Sequence, residues 1–147
     1  MIIIIDTNIL ISASLDKKSE LYHLITNEFL KLDFVIPEYA LEEINTHKIR
    51  ICTKAKKDIK QFENNLFLLL KTITVLSINE ISNTDFLTAE ELTKQIDIKD
   101  ATFVAFSISF KALLWSGDLK LYKALRRKSF NNIISTKELK QIIKGLH

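Results

Sequence analysis

The amino-acid sequence predicts a three-layer α/β/α fold in which a parallel five-stranded sheet lies between helices. Short apolar runs of strand length alternate along the chain with longer segments whose apolar residues have helical spacing. The short runs are continuously apolar, whereas a strand with one solvated face alternates apolar and polar residues. Strands that are covered on both faces and separated by helices are typical of a parallel sheet.

The length and composition of the chain are those of one folded domain, which we expect to span residues 1–147. A chain of 147 residues buries roughly two-thirds of the surface that its unfolded form exposes. Hydrophobic residues make up 47% of the chain and charged residues 27%, and no repeat or Pro/Gly/Ser linker marks a second domain. The single cysteine, Cys52, belongs to no disulfide or zinc-type cluster, which indicates a reducing cytoplasm.

Five strands are predicted where short apolar runs end in polar or turn residues: residues 2–5, 34–36, 73–76, 112–115 and 133–134. No basic segment precedes the first of these runs, and Asp6 ends it. A signal peptide or a membrane span needs a longer apolar stretch. We therefore expect a buried strand at residues 2–5 and no membrane contact.

Helical spacing predicts the elements between the strands. One apolar stripe comprises Leu21, Leu24, Ile25, Phe29 and Leu32. A second comprises Ala55, Ile59, Phe62, Leu66, Leu69 and Leu70, and we expect both stripes to contact the core. Further helices are predicted at residues 37–50, with Pro37 in the first turn, and at residues 88–96, 101–110 and 137–146.

Positive charge is distributed unevenly, although the net charge is only +3. Residues 120–147 contain eight Lys or Arg against one acid, Glu138, and residues 48–60 contain six against one, Asp58. Such segments are typical of a partner that is a polyanion, such as nucleic acid. Solvated helix faces give the same pattern, so the charge runs alone do not decide between the two interpretations.

Carboxylates follow the predicted strands at one edge of the sheet, where ligands bind in open parallel sheets. Asp6 follows the first strand, Asp118 follows the fourth, and Asp97 and Asp100 begin the helix before the fourth strand. Glu42 and Glu43 lie on the helix after the second strand, and one or both of them would join these aspartates. Four distant parts of the chain therefore bring five or six carboxylates to one edge.

Helix capping would explain Asp6, Asp97, Asp100 and Asp118 one by one. Capping does not explain why acids recur after buried strands at the same edge, where like charges repel by several kcal/mol at low dielectric. Oxygen ligands of this kind suit a hard cation, Mg²⁺ or Mn²⁺. A centre of that type is suited to phosphodiester hydrolysis.

In these positions the sequence resembles the PIN-domain ribonucleases, which include the VapC-type toxins of bacterial and archaeal toxin–antitoxin pairs. The family opens with a strand followed by an Asp-Thr-Asn motif, here Asp6-Thr7-Asn8. Its second acid is a glutamate that follows a short strand and a proline, here Glu43 after Pro37, with Glu42 as the alternative. The third acid of the family precedes an alanine and often has another aspartate three residues before it, here Asp100-Ala101 with Asp97. The fourth acid follows a strand in a Thr/Ser-x-Asp pattern, here Ser116-Gly117-Asp118.

The resemblance spans essentially the whole chain and implies the PIN-like fold and an active site. It implies that Asp6, Glu43, Asp100 and Asp118 bind Mg²⁺ or Mn²⁺, that Asp97 contributes at the edge, and that Asn8 and Ser116 orient the acids or a water molecule. It further implies cleavage of RNA, a homodimer and a small antitoxin protein that blocks the site.

Other doubly wound enzymes fit less well. A haloacid-dehalogenase-like phosphatase needs a second aspartate at the position of Asn8, and the only glycines, Gly117 and Gly145, form no phosphate-binding loop. A non-catalytic RNA-binding or protein-interaction module on the same fold is the alternative function. His47 is interpreted as a surface residue and Trp115 as a core residue.

Overall fold

One parallel sheet organises the protein. The computed structural model describes residues 1–146, except for the side chain of Ile98. Within this range the sheet has five strands in the order β3-β2-β1-β4-β5, and every pair of neighbours is parallel. The strands are β1 Ile2–Ile5, β2 Asp33–Pro37, β3 Thr74–Leu76, β4 Leu113–Trp115 and β5 Ile133–Ile134. The predicted fold class is therefore confirmed.

Eight α-helices lie within the described residues and connect the strands. They are α1 Thr7–Leu15, α2 Glu20–Thr26, α3 Glu38–Ala55, α4 Ile59–Leu70, α5 Asn83–Thr93, α6 Ala101–Phe110, α7 Leu119–Arg127 and α8 Thr136–Leu146. Helix α7 was not predicted, because it is short, begins soon after a strand and buries only Leu121 and Leu125 among mostly basic residues.

The first apolar stripe was wrongly extended to residue 32. Helix α2 ends at Thr26, and the side chain of Asn27 then accepts a hydrogen bond from the Phe29 backbone to begin a short 3₁₀ turn at Glu28–Leu30. Phe29 is 86% exposed, so it makes no core contact of the kind that we expected. Asparagine favours such local turns over helix continuation, and apolar spacing does not reveal this.

The second apolar stripe belongs to two helices. Lys56 closes α3 in the left-handed conformation, with a φ of 55°, and Asp58 begins α4 by accepting a hydrogen bond from the Gln61 backbone. Beyond the break, Ile59, Phe62, Leu66 and Leu69 lie in the core or pack against it, so the core contact predicted for the stripe is made by α4. Helix α5 also begins earlier than predicted, because the Ser82 side chain caps it.

The central strand β1 positions the functional edge of the sheet. Ile3, Ile4 and Ile5 are fully buried, as expected for a strand covered on both faces. Ile5 is in register with Trp115 of β4, and the Asp6 backbone donates a 3.0 Å hydrogen bond to the Trp115 carbonyl. The ends of β1 and β4 therefore lie side by side. Trp115 is fully buried, as predicted.

No helix within residues 1–146 combines the length and the apolar character that crossing a membrane would require.

Candidate metal centre

A cavity of about 440 Å³ opens at the carboxyl edge of the sheet, and we call it the acidic cavity. Its lining includes five carboxylate residues from four separate parts of the chain: Asp6, Glu43, Asp97, Asp100 and Asp118. Glu42 lies on another side of α3, where it lines a different cavity with Tyr39 and Phe106. Of the two candidate glutamates, the structure places Glu43 with the aspartates.

Asp6 is the most deeply buried of these acids, with 6% of its surface exposed. It precedes α1, yet its side chain makes no capping hydrogen bond to the described part of that helix. Its Oδ2 atom instead accepts a 2.6 Å hydrogen bond from the Ser116 hydroxyl. Burial raises the pKa of Asp6, and the charges of Asp118 and Glu43 assist, although hydrogen bonds from the Ser116 hydroxyl and the Thr7 backbone act in the opposite direction.

Asp100 stands at the start of α6 and, within the described chain, makes no side-chain capping bond either. Burial, followed by the charges of Asp6 and three further acids of the cavity, raises the pKa of Asp100 to about 7. Neither Asp6 nor Asp100 therefore has the local structural role that would explain an aspartate at a helix start. Both carry the electrostatic cost of a crowded acidic site.

Asp118 does cap a helix. Its Oδ1 atom accepts a 3.1 Å hydrogen bond from the Leu121 backbone at the start of α7, which uses one of its two carboxylate oxygens. Its own backbone N–H donates to the Ser116 hydroxyl at 3.1 Å. Because that hydroxyl also donates to Asp6, Ser116 joins the acids that follow β1 and β4.

Glu43 is held from the other side of the cavity. The Thr7 hydroxyl donates a 3.1 Å hydrogen bond to Glu43 Oε1, which joins α3 to the first residue of α1. Threonine at this position thus has a specific partner, and the bond holds the half-buried Glu43 side chain toward Asp6. The positions of both acids are therefore fixed by hydroxyl groups from neighbouring elements.

Asp97 and Asn8 occupy the edge of the acidic cavity. Asp97 is exposed, and its Oδ1 atom accepts a 2.9 Å hydrogen bond from the Lys99 backbone in a tight turn. Asn8 is exposed and lines the cavity, but its side chain takes part in no hydrogen bond with another described residue.

Three basic side chains of the acidic cavity were missed as site residues: His47, Arg50 and Lys99. His47 is exposed, as predicted, but it faces the cavity and not only the solvent. Glu43, His47 and Arg50 follow each other at helical spacing, so one face of α3 presents all three. That spacing was the available signal. The cavity thus combines an acidic floor with a basic wall.

The donor set fits a hard cation that keeps part of its water shell. Among the described residues, no three His, Cys, Asp or Glu side chains lie close enough to enclose an ion by themselves. Mg²⁺ does not require such a cage, because it is usually bound by one or two carboxylates together with water and substrate phosphate. Asp6 is buried and Asp100 is half-buried, and their mutually repelling carboxylates supply the negative charge that such an ion would neutralise.

Solved structures support the assignment of the fold. The chain aligns with the crystal structure of VapBC2 from Rickettsia felis bound to a DNA fragment from its promoter, with a TM-score of 0.63 and 20% identity, covering 92% of this chain and 97% of that one. It also aligns with PAE2754 from Pyrobaculum aerophilum, with a TM-score of 0.70 and 12% identity, covering 97% and 89%.

Comparison with curated proteins returned no significant match. The family model described as PIN domain matches residues 4–137, a range that contains all five carboxylates of the acidic cavity. The chain therefore belongs to the PIN domain family, whose members are generally nucleases.

Proposed function

We propose that the protein is a metal-dependent endoribonuclease that acts as the toxin of a toxin–antitoxin pair in the cytoplasm. The observation that carries this proposal is the pair Asp6 and Asp100. Both aspartates precede helices without capping them, and both have a raised pKa in a cavity with three further acids. Such an arrangement costs stability unless a cation is bound, so a functional role explains it better than a structural one.

In this proposal Asp6, Glu43, Asp100 and Asp118 hold Mg²⁺ or Mn²⁺, and Asp97 contributes at the edge. When bound, the ion supplies the Lewis acidity that activates water for attack on a phosphodiester. Ser116 and Thr7 keep Asp6 and Glu43 in place through the hydrogen bonds described above. Asn8 orients a water molecule or an acid at the rim.

Basic residues that line the acidic cavity would contact the phosphates of the RNA substrate. An acidic site repels RNA unless cations contact the phosphates on either side of the cleaved bond. Arg50 and Lys99 line the cavity, are exposed and carry that charge. Their role here is to bind the RNA backbone beside the cleaved phosphate, which positions the bond without reading the base sequence.

The proposed partners follow from similarity to known proteins. VapBC2 from Rickettsia felis, which shares the fold, is a complex that was crystallised on promoter DNA. By analogy we propose that a cognate antitoxin binds this chain and blocks its acidic cavity, and that two copies of the chain form a homodimer.

The proposal is tested by incubating a mixed RNA pool with the purified protein in Mn²⁺ or Mg²⁺, and in EDTA. The variants Asp6→Asn and Glu43→Gln should not cut, whereas Glu42→Gln should cut like the wild type because Glu42 lies outside the acidic cavity. Cleavage that persists in EDTA or in Asp6→Asn would contradict the proposal. RNA binding without cleavage, unchanged in Asp6→Asn, would show the non-catalytic binding module instead.

A further inference from the structure

A second and larger cavity, of about 870 Å³, lies where the C-terminal end of α1 meets the turn between α3 and α4, and we call it the basic cavity. Its described lining contains four lysines and one histidine against two aspartates. The lysines are Lys17, Lys18, Lys56 and Lys57, the histidine is His23, and the aspartates are Asp16 and Asp58. This excess of positive charge is typical of an anion-binding surface.

The two aspartates of the basic cavity have structural roles. Asp16 Oδ1 accepts a 2.9 Å hydrogen bond from the Lys18 backbone, and Asp58 Oδ2 accepts a 3.1 Å hydrogen bond from the Gln61 backbone at the start of α4. None of the four lysines forms an ion pair with another described residue. Their ammonium groups are therefore available to an external anion.

The walls of the basic cavity are fixed by packing. Asn65 is 5% exposed, and its amide donates a 3.0 Å hydrogen bond to the Ser14 carbonyl, which joins α4 to α1 beneath the cavity. Phe62 fills the floor and is 1% exposed. The backbone of Lys56 is held in the left-handed conformation that ends α3. The lysines of the cavity therefore extend from short turns between packed helices.

The basic cavity lies beyond the C-terminal ends of α1 and α3, two helices that also line the acidic cavity. Thr7, Asn8 and Ile11 of α1 line the acidic cavity, and Leu15 of the same helix lines the basic one. Thr7 and Leu15 are separated by about 12 Å along the helix at a rise of 1.5 Å per residue. Along α3 and the turn after it, Arg50 and Ile51 are succeeded in the same way by Lys56 and Lys57. The two cavities therefore follow one another along α1 and α3.

We propose that the basic cavity binds the backbone of single-stranded RNA a few nucleotides away from the bond that is cleaved in the acidic cavity. This proposal rests on the nuclease function proposed above and adds a second binding site for the same substrate. Positive grooves that follow the backbone hold single strands without sequence preference.

The test measures the affinity for a mixed-sequence single-stranded RNA in an Asp100→Asn background, which prevents cleavage. In this background the four lysines of the basic cavity are replaced by glutamine, all together and as the pairs Lys17 with Lys18 and Lys56 with Lys57. The matched control replaces four exposed lysines that line neither cavity, namely Lys31, Lys94, Lys111 and Lys144, so that the net charge is equal. Thermal unfolding checks that every variant is folded.

We expect the quadruple variant to bind RNA about tenfold more weakly than the control, with intermediate values for the pairs. The slope of log affinity against log salt should fall by about 0.7 for each phosphate group that the protein no longer neutralises. Equal affinity and an equal slope in the quadruple variant and the control would overturn the proposal, and would leave an acidic protein segment as the occupant. Cleavage by the wild type is scored separately with Mn²⁺, so failure of the nuclease function is distinguished from failure of the second binding site.

Discussion

The Ser116 hydroxyl donates a 2.6 Å hydrogen bond to Asp6 Oδ2 across 110 positions of sequence. The parallel pairing of β1 and β4 makes this contact possible, because Ile5 and Trp115 are in register and the next residue of each strand lies at the same edge. The same hydroxyl accepts from the Asp118 backbone. One small side chain thus fixes the relative position of two acids of the candidate metal centre.

Replacing Ser116 by alanine removes the donor to Asp6. We expect the pKa of Asp6 to rise further, since the Ser116 hydrogen bond lowers it, and the pH profile of metal-dependent cleavage should move to higher pH. The free energy of unfolding should fall by about 1 kcal/mol, the usual contribution of such a bond. Ser116→Thr keeps the hydroxyl and should restore the profile. A profile that does not move in Ser116→Ala would show that the bond has no influence on the site.

Replacing Thr7 by valine keeps the shape of the side chain but removes the donor to Glu43 Oε1. We expect a decrease of about 1 kcal/mol in the free energy of unfolding and a weaker affinity for Mn²⁺, because Glu43 is no longer held toward the cavity. Chemical denaturation and metal titration measure the two effects. Thr46→Val is the control, since its hydroxyl bonds to the Glu42 carbonyl of its own helix. Equal metal affinity in both variants would contradict the role given to Thr7.

The stability of the metal-free protein should depend on the protonation of Asp100. Its pKa is about 7 in the folded protein, above the ordinary value of 3.8. Between these two pH values the folded state keeps a proton that the unfolded state has already released. The contribution of Asp100 to stability is therefore lost as pH rises from about 4 to above 7. In thermal unfolding in EDTA, the Tm of Asp100→Asn should rise relative to that of the wild type across this pH range. A difference in Tm that does not change with pH would show that Asp100 titrates normally.

Asp58 should stabilise the break between α3 and α4. Its side chain caps α4 through the Gln61 backbone, and Asp58→Ala should lower the free energy of unfolding by about 1 kcal/mol. Asp58→Ser keeps a capping oxygen and should recover most of that stability, which urea unfolding would measure. Equal stability of the alanine and serine variants would show that another interaction fixes the break.

The sheet and the acidic edge were predictable because buried strands appear in the sequence as continuous apolar runs, and the acids directly follow those runs. Continuous apolar runs such as residues 2–5 need two covered faces, and an acid directly after such a run must lie at the carboxyl edge. The helix breaks were not predictable from spacing. Asn27 and Asp58 act through single side-chain hydrogen bonds, while the apolar residues around them keep their period.

The site itself was only partly predictable. Spacing left Glu42 and Glu43 as alternatives, because neighbouring residues on a helix differ by about 100° in direction and only the packed structure shows which one faces Asp6. The basic wall was missed for a related reason. His47, Arg50 and Lys99 are exposed residues of ordinary type. The position of His47 and Arg50 depends on how α3 packs against α1, and that of Lys99 on the turn before α6.

Metal binding by the carboxylates of the acidic cavity is the central claim, and calorimetric titration of Mn²⁺ into the apo-protein tests it most directly. The wild type and Glu42→Gln should bind Mn²⁺ with the same affinity. Asp6→Asn and Asp100→Asn should not bind it, while remaining as stable as the wild type or more so, because repulsion between the acids falls. Absence of Mn²⁺ binding by the folded wild type, or equal binding by the two aspartate variants, would contradict the account.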